Sequence, residues 1–233
     1  DMRGYNLSDK PSKITDYSIP ILAKDVAELI KALGEKEAVV IGHDWGAAVA
    51  WAVAAYHPDV VSKLAILNVP HPAIMQKALM RFNWTQIKRS WYIFFFQLPM
   101  LPERIVGKRR FFERTFGAMK PAGRPCSISS SDIDKYVEAY QKPDAVWGPL
   151  SYYRAMVRQS LFGKLPPMPK IQAPVLMLWG EQDKALGKEL TYNTDHYCAG
   201  EFNIYYEPGS GHFLQHDNPQ WVNEHLIRFI DGR

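Results

Sequence analysis

The sequence predicts an α/β fold: a parallel sheet flanked by helices and interrupted by one helical insertion. Apolar runs rich in β-branched residues alternate with helical stretches at both ends of the chain, the pattern of β-α-β units with right-handed crossovers. The alternation stops between residues 73 and 165, which show helical periodicity, many aromatics and no strand pattern. Acidic residues and a histidine end several of the strand-like runs, where parallel sheets place their chemistry.

A chain of 233 residues can bury a proper core in one large domain carrying an insertion. Its 47% hydrophobic and 22% charged content is ordinary for a globular protein. A net charge of +4 is a weak argument for a polyanionic partner, and nucleic acid is not expected. The one dense basic cluster, Lys108-Arg109-Arg110, reads as a solvated face. Cys126 and Cys198 form no metal or redox spacing and fit free thiols in a reducing, cytoplasmic compartment, with a single disulfide as the alternative. The longest strongly apolar run, Trp91 to Leu101, is broken by Gln97 and Pro99 and falls far short of the roughly 20 residues that span a bilayer. No signal peptide is visible, so the sequon Asn83-Trp84-Thr85 reads as incidental.

In chain order, residues 1–11 are polar and rich in turn formers and read as a loop. A helix follows, with Leu22, Val26, Ile30 and Leu33 on one face and Gly34 as its C-cap. Ala38 to Ile41 reads as a buried strand, and the small-residue run from Ala47 as a helix. A second strand is expected over Val61 to Val69, closed by Pro70-His71-Pro72. In the insertion, Phe82, Trp84, Trp91, Tyr92, Phe94, Phe95, Phe96, Phe111, Phe112 and Phe116 are read mostly as its own core. Pro121 to Ser131 reads as a loop and Ser131-Asp132-Ile133-Asp134 as a helix start. The sheet pattern resumes at Ala173 to Gly180, continues through a polar helix around Lys188 to Tyr197, and gives a further strand, Phe202 to Tyr206. Asn218-Pro219 starts the last helix, with Val222, Leu226, Ile227 and Ile230 expected to face inward. The expected layout is core residues 1–72, a helical cap over 73–165, and core residues 166–233.

The chemistry centres on Gly42-His43-Asp44-Trp45-Gly46, between the first strand and its helix. Reversing the chain there is sterically crowded, so glycines flank a central residue whose side chain is lifted clear. That residue is Asp44 rather than the commoner serine. A carboxylate is ionised at neutral pH, needs no base to activate it, and can displace a leaving group from saturated carbon to give an ester. The same residues also fit a plain βα turn with an N-cap aspartate. Asp183 and His212 fall after two later strands, in the order nucleophile, acid, histidine. Glu181 and His216 stand nearby as alternatives to them.

Four segments carry a family resemblance: Asp1-Met2-Arg3-Gly4-Tyr5 with Ser8-Asp9-Lys10-Pro11, the Asp44 motif, Trp179-Gly180-Glu181-Gln182-Asp183, and Gly211-His212-Phe213-Leu214-Gln215. The chain resembles the α/β-hydrolases of the epoxide hydrolase and haloalkane dehalogenase group, most of all the epoxide hydrolases. The resemblance implies two cap tyrosines that hydrogen-bond the epoxide oxygen. Ser90 to Pro99 resembles the first such segment and gives Tyr92; Pro149 to Arg154 resembles the second, with Tyr153 a better match than Tyr152. It also implies that the Trp45 N–H is an oxyanion donor, and that an apolar epoxide and water react without metal or organic cofactor. The family's other oxyanion donor lies in a loop that would precede Asp1, and strands expected before it are missing too, which implies either a fragment of a longer protein or a truncated chain. A homodimer is left open. The alternatives are a haloalkane dehalogenase, with Trp45 suited to a halide, and a non-catalytic interaction protein on the same scaffold. The fluoroacetate-specific branch is disfavoured, because Trp45 and Ala48 stand where it uses arginines.

Overall fold

A computed structural model describes residues 1–80, 84–162 and 167–232. Phe82, Asn83 of the sequon and the expected cap boundary at Leu165 lie outside the described residues. The chain forms two contact units: Ala23–Arg89, Met119–Pro125 and Met168–Arg233 in one, and Asp1–Leu22, Ser90–Ala118 and Cys126–Pro167 in the other.

The first unit is built on strands β1 (Ala38–His43), β2 (Val61–Leu67), β3 (Val175–Gly180) and β4 (Phe202–Glu207). They lie side by side in that order, all parallel. Ile41 pairs with Ala65, Ala65 with Leu176, and Leu176 with Asn203. Every residue of β3 is buried, as expected of an inner strand covered on both faces. Four strand ends differ from expectation: β1 runs on to His43, with Ile41 exposed rather than buried, and β4 runs on to Glu207. β2 stops at Leu67 because Asn68 takes φ +50° and turns the chain; β3 starts at Val175 because Pro174 has no N–H to give the ladder.

Helix α1 spans Ile19–Ala32, and its buried residues are Leu22, Ala23, Ala27 and Ile30. Leu33, expected on that face, lies past the helix end and is 70% exposed, next to Gly34 at φ +82°. Helix α2 (Trp45–Tyr56) is apolar nearly all round, and eight of its residues are buried. α3 (Pro72–Met80) and α4 (Trp84–Arg89) follow. Late in the chain come α10 (Leu214–Asp217) and α11 (Pro219–Asp231). The Asn218 side chain caps α11 by accepting from the Trp221 N–H at 3.3 Å. Val222, Leu226 and Phe229 of α11 pack on Ala65, Leu67, Leu176 and Leu178 of the sheet. Ile227 and Ile230, expected to face inward, are exposed: the buried stripe runs at spacings of four and three from Val222 and leaves them off it. The helix expected around Lys188 to Tyr197 is two separate 3-10 turns, Lys188–Thr191 and Thr194–Tyr197. Asn193 between them is left-handed, and the Thr191 and Thr194 hydroxyls bond the carbonyls of Lys188 and Thr191 and compete with helix bonds.

In the second unit, α5 (Trp91–Phe95), α6 (Leu101–Ile105), α7 (Arg109–Met119), α8 (Ser130–Tyr140) and α9 (Trp147–Phe162) succeed one another. Its core gathers Phe96, Val106 and Leu150, with Tyr92, Phe95, Phe111, Tyr140, Val146 and Tyr153 against them. α8 starts one residue earlier than expected, because Ser129 and Asp132 form a reciprocal capping box. The N-terminal loop packs on α9. A Cβ on Gly4 would sit 2.9 Å from the Gly148 Cα, and the Tyr152 hydroxyl donates to the Arg3 carbonyl at 2.7 Å. Not all aromatics are core: Trp84, Trp91 and Phe94 are exposed, on helices too short to bury more than one face. Both cysteines are free thiols, Cys126 exposed and Cys198 buried, and no helix among the described residues is long and apolar enough to cross a membrane.

Candidate active site

The turn after β1 is as tight as its glycine demands. A Cβ on Gly42 would lie 2.5 Å from the Gly46 carbonyl oxygen and 2.6 Å from the Ala47 Cα. Asp44 caps α2 with φ +51° and ψ −126°, a conformation a non-glycine residue adopts only under constraint. Its carbonyl accepts from the Ala47 and Ala48 N–H groups, and its side chain is about half exposed. The carboxylate stands 3.5 Å from His212 Nε2.

His212 is buried on the loop after β4, with Nδ1 2.8 Å from Asp183 Oδ2. Asp183, three residues beyond β3, is saturated with donors. Oδ1 accepts from the Ala185 and Leu186 N–H groups at 2.7 and 2.9 Å, and Oδ2 accepts from Asn68 Nδ2 at 2.8 Å as well as from His212. The geometry therefore sets Asp44, His212 and Asp183 in line at the carboxyl ends of three strands. Glu181 instead makes an ion pair with Lys188, and His216 sits on α10 with no carboxylate bond among those described.

Electrostatics follow from the line of charges. Desolvation pulls the His212 pKa down, but the charges and bonds of Asp183 and Asp44 outweigh it and raise it to about 10. Burial works to raise the Asp183 carboxyl, yet His212, the Leu186 N–H and Asn68 hold it below the ordinary range. Asp44 is likewise held low against its desolvation, by the bond and charge of His212 and by the Trp45 N–H. The site thus rests as carboxylate, imidazolium, carboxylate.

Two supporting groups were not singled out from the sequence. Asn68 is fully buried; its Oδ1 accepts from the Gly180 N–H at 2.8 Å while its Nδ2 holds Asp183, so it ties the ends of β2 and β3 to the acid. His43 Nε2 lies 2.8 Å from the His212 carbonyl, and Gln215 Nε2 lies 3.3 Å from its Nδ1. A carbonyl only accepts, so Nε2 carries the proton and Nδ1 accepts from Gln215. His43 is neutral accordingly: desolvation, reinforced by the charge of His212, lowers its pKa to about 4.

In the second unit the Tyr92 and Tyr153 rings meet edge to face, 5.8 Å between centroids, with Tyr92 on α5 and Tyr153 on α9. Their helices are tied together. Arg154 Nε and Nη2 donate to the carbonyls of Phe96 and Leu98, each at 3.0 Å, its Nη1 meets Glu103 at 2.7 Å, and Gln97 Nε2 lies 3.4 Å from the Tyr153 carbonyl. Tyr152, by contrast, is fully buried with its hydroxyl on Arg3. Among the described residues no group of His, Cys, Asp and Glu is placed to hold a metal ion.

A carboxylate on a strained strand-to-helix turn, faced by a buried histidine–aspartate pair on a parallel sheet, is the arrangement of the α/β-hydrolase fold. Sequence comparison agrees with the fold. The chain belongs to the alpha/beta hydrolase fold family, whose model matches residues 1–219. It is 36% identical over its whole length to an AB hydrolase superfamily protein of Bacillus subtilis, spanning 79% of that protein. It is 34% identical to Epoxide hydrolase 3 of Xenopus tropicalis over 99% of the chain, but spans only 62% of that relative's length. Among solved structures, Bacillus megaterium epoxide hydrolase in complex with an inhibitor matches with a TM-score of 0.84 at 28% identity, covering 99% of this chain and 82% of that one.

Proposed function

We propose that the protein to which this chain belongs opens epoxides to vicinal diols through an ester on Asp44. The observation that carries this reading is an aspartate at the strained elbow with His212 Nε2 3.5 Å behind it. The reading of an epoxide rather than a haloalkane as the electrophile is supported by the adjoining Tyr92 and Tyr153 rings and by relatives named as epoxide hydrolases.

In this reading an Asp44 oxygen attacks an epoxide carbon and forms the ester C–O bond as the ring C–O bond breaks. Tyr92 and Tyr153 donate to the oxygen that takes up the electron pair. A phenol suits this because it donates strongly yet stays protonated at neutral pH. Esterification removes the Asp44 charge, one of the influences that raise the His212 pKa, so the histidine gives up its proton, which ends on the alkoxide and leaves a hydroxyalkyl ester beside a neutral imidazole. Neutral His212, oriented by Asp183, then takes a proton from water as the oxygen adds to the ester carbonyl, and the Trp45 N–H supports the resulting oxyanion. Collapse of that adduct breaks the ester C–O bond, the diol leaves with a proton from His212, and the new Asp44 carboxyl passes its proton to the imidazole, which restores the resting state.

His212→Gln in the full-length protein should permit alkylation but block hydrolysis, so intact mass spectrometry after incubation with an epoxide should show Asp44 heavier by the whole epoxide. Adding Tyr92→Phe and Tyr153→Phe should slow adduct formation by at least about 100-fold, the typical cost of removing such a donor. A haloalkane needs no phenol to release halide. Adducts from haloalkanes but from no epoxide would replace this reading with dehalogenation.

A further inference from the structure

The second unit carries a surface that its own core does not explain. Between Trp91 and Ile105, six large apolar side chains stand in solvent: Trp91 and Phe94 on α5, Leu98 and Met100 in the turn, and Leu101 and Ile105 on α6, from 40% exposed at Ile105 to 66% at Met100. The same stretch already has its inward set in the buried Ile93, Phe96, Pro102 and Val106. The exposed residues are therefore not a failed core but a second apolar face, and clustered apolar exposure of this kind marks a docking surface.

Charge identifies what it docks on. Residues 91–114 hold five basic side chains, Arg104, Lys108, Arg109, Arg110 and Arg114, against Glu103 and Glu113, a net +3 out of the +4 carried by all 233 residues. Glu103 is taken up by Arg154, and Glu113 by Arg109, which also pairs with Asp134. Arg104, Lys108, Arg110 and Arg114 are left exposed, with no ion pair among the described residues. A symmetric contact with a second copy would set this cluster against itself, at a cost. A nucleic acid would use the charge but not the aliphatic Leu98, Met100, Leu101 and Ile105.

We propose that this face docks on an anionic lipid surface, the aromatic and aliphatic side chains entering the headgroup region while the adjoining arginines and lysine meet lipid phosphates and carboxylates. Short helices presenting Trp, Phe and Leu beside a basic flank have the composition of interfacial anchors, and basic residues near an anionic surface strengthen the attachment. This docking is independent of the reaction assigned above.

The test is flotation of the full-length protein with vesicles of phosphatidylcholine, alone or with about one third phosphatidylserine. Binding is expected to the anionic vesicles and to weaken with added salt. Phe94→Ser with Leu101→Ser should weaken it at least about tenfold, since two large apolar groups lose their burial. Lys108→Ser with Arg110→Ser should weaken it about tenfold or more on the anionic vesicles only. The charge variant alters only exposed side chains, so it keeps the test decisive if the apolar variant proves unstable. Absence of binding to anionic vesicles, or equal binding by both variants, would overturn the proposal. So would light scattering that shows a dimer dissociated by the apolar variant, or retention on single-stranded DNA that survives it with no vesicle binding.

Discussion

Asp183 shows how much of the site depends on residues that do no chemistry. Its two oxygens receive four donors, and two of those, the Ala185 and Leu186 N–H groups, come from its own loop. Asn68 comes from 115 positions away, on another strand end. No local pattern announces that partner: in sequence Asn68 is a polar residue inside an apolar run, and the run reads as a strand continuing over it. Asp44, Asp183 and His212 were legible because each ends a strand and the three stand in a recognisable order. Asn68→Ala should leave Asp183 short of a donor and free it to rotate. A buried acceptor deprived of its donor costs about 1–3 kcal/mol, so the urea midpoint should fall accordingly. The proposed hydrolytic step should slow more than alkylation, because only the former needs His212 held in place. Single-turnover measurements that show both steps slowed equally would remove Asn68 from that role.

At the scale of elements, periodicity located the helices and strands but not which apolar residues they bury. On α11 the sequence offers Ile227 and Ile230 as readily as Phe229; the sheet surface beneath selects the stripe through Val222, Leu226 and Phe229. Turn chemistry was weaker still as a guide, as the pair of 3-10 turns over Lys188 to Tyr197 shows. Arg154 joins elements in a way that periodicity cannot reveal, since a buried arginine gains its place from acceptors distant in sequence, the Phe96 and Leu98 carbonyls and Glu103. Removing it would strand the Phe96 and Leu98 carbonyls and the Glu103 carboxylate. Arg154→Met should cost roughly 3 kcal/mol, the lower end for breaking a buried pair because Glu103 keeps some contact with solvent. Arg154→Lys should recover only part, as an ammonium cannot reach all three acceptors in one plane. Denaturant titration of the three proteins tests this, and a Met variant as stable as the parent would show that the network is incidental.

Across the molecule, the buried histidines set opposite pH limits. His43 and His71 both have pKa values lowered to about 4, in each case chiefly by desolvation, and His71 is wholly buried with its Nε2 unpartnered among the described residues. Between about pH 6.5 and 4 the unfolded chain binds protons at these two positions and the folded chain does not, so stability falls as pH falls through that window. His212 has the reverse sign. Its folded pKa is raised to about 10, so below pH 6.5 its contribution is fully present, and it is lost progressively as pH rises from there toward 10. Asp44 and Asp183, held low, add to the acid limb below about pH 4. Stability should therefore peak near pH 6.5, on the acid side of neutrality. The measurement is the urea midpoint from pH 4.5 to 7.5, below the range where cysteine and tyrosine ionisation enter. His212→Gln should flatten the limb above pH 6.5, and His71→Asn, which keeps an acceptor for the Ala73 N–H now bonded to Nδ1, should shallow the limb below it. An alkaline limb that survives unchanged in His212→Gln would show that the imidazolium does not hold the two carboxylates together in the folded protein.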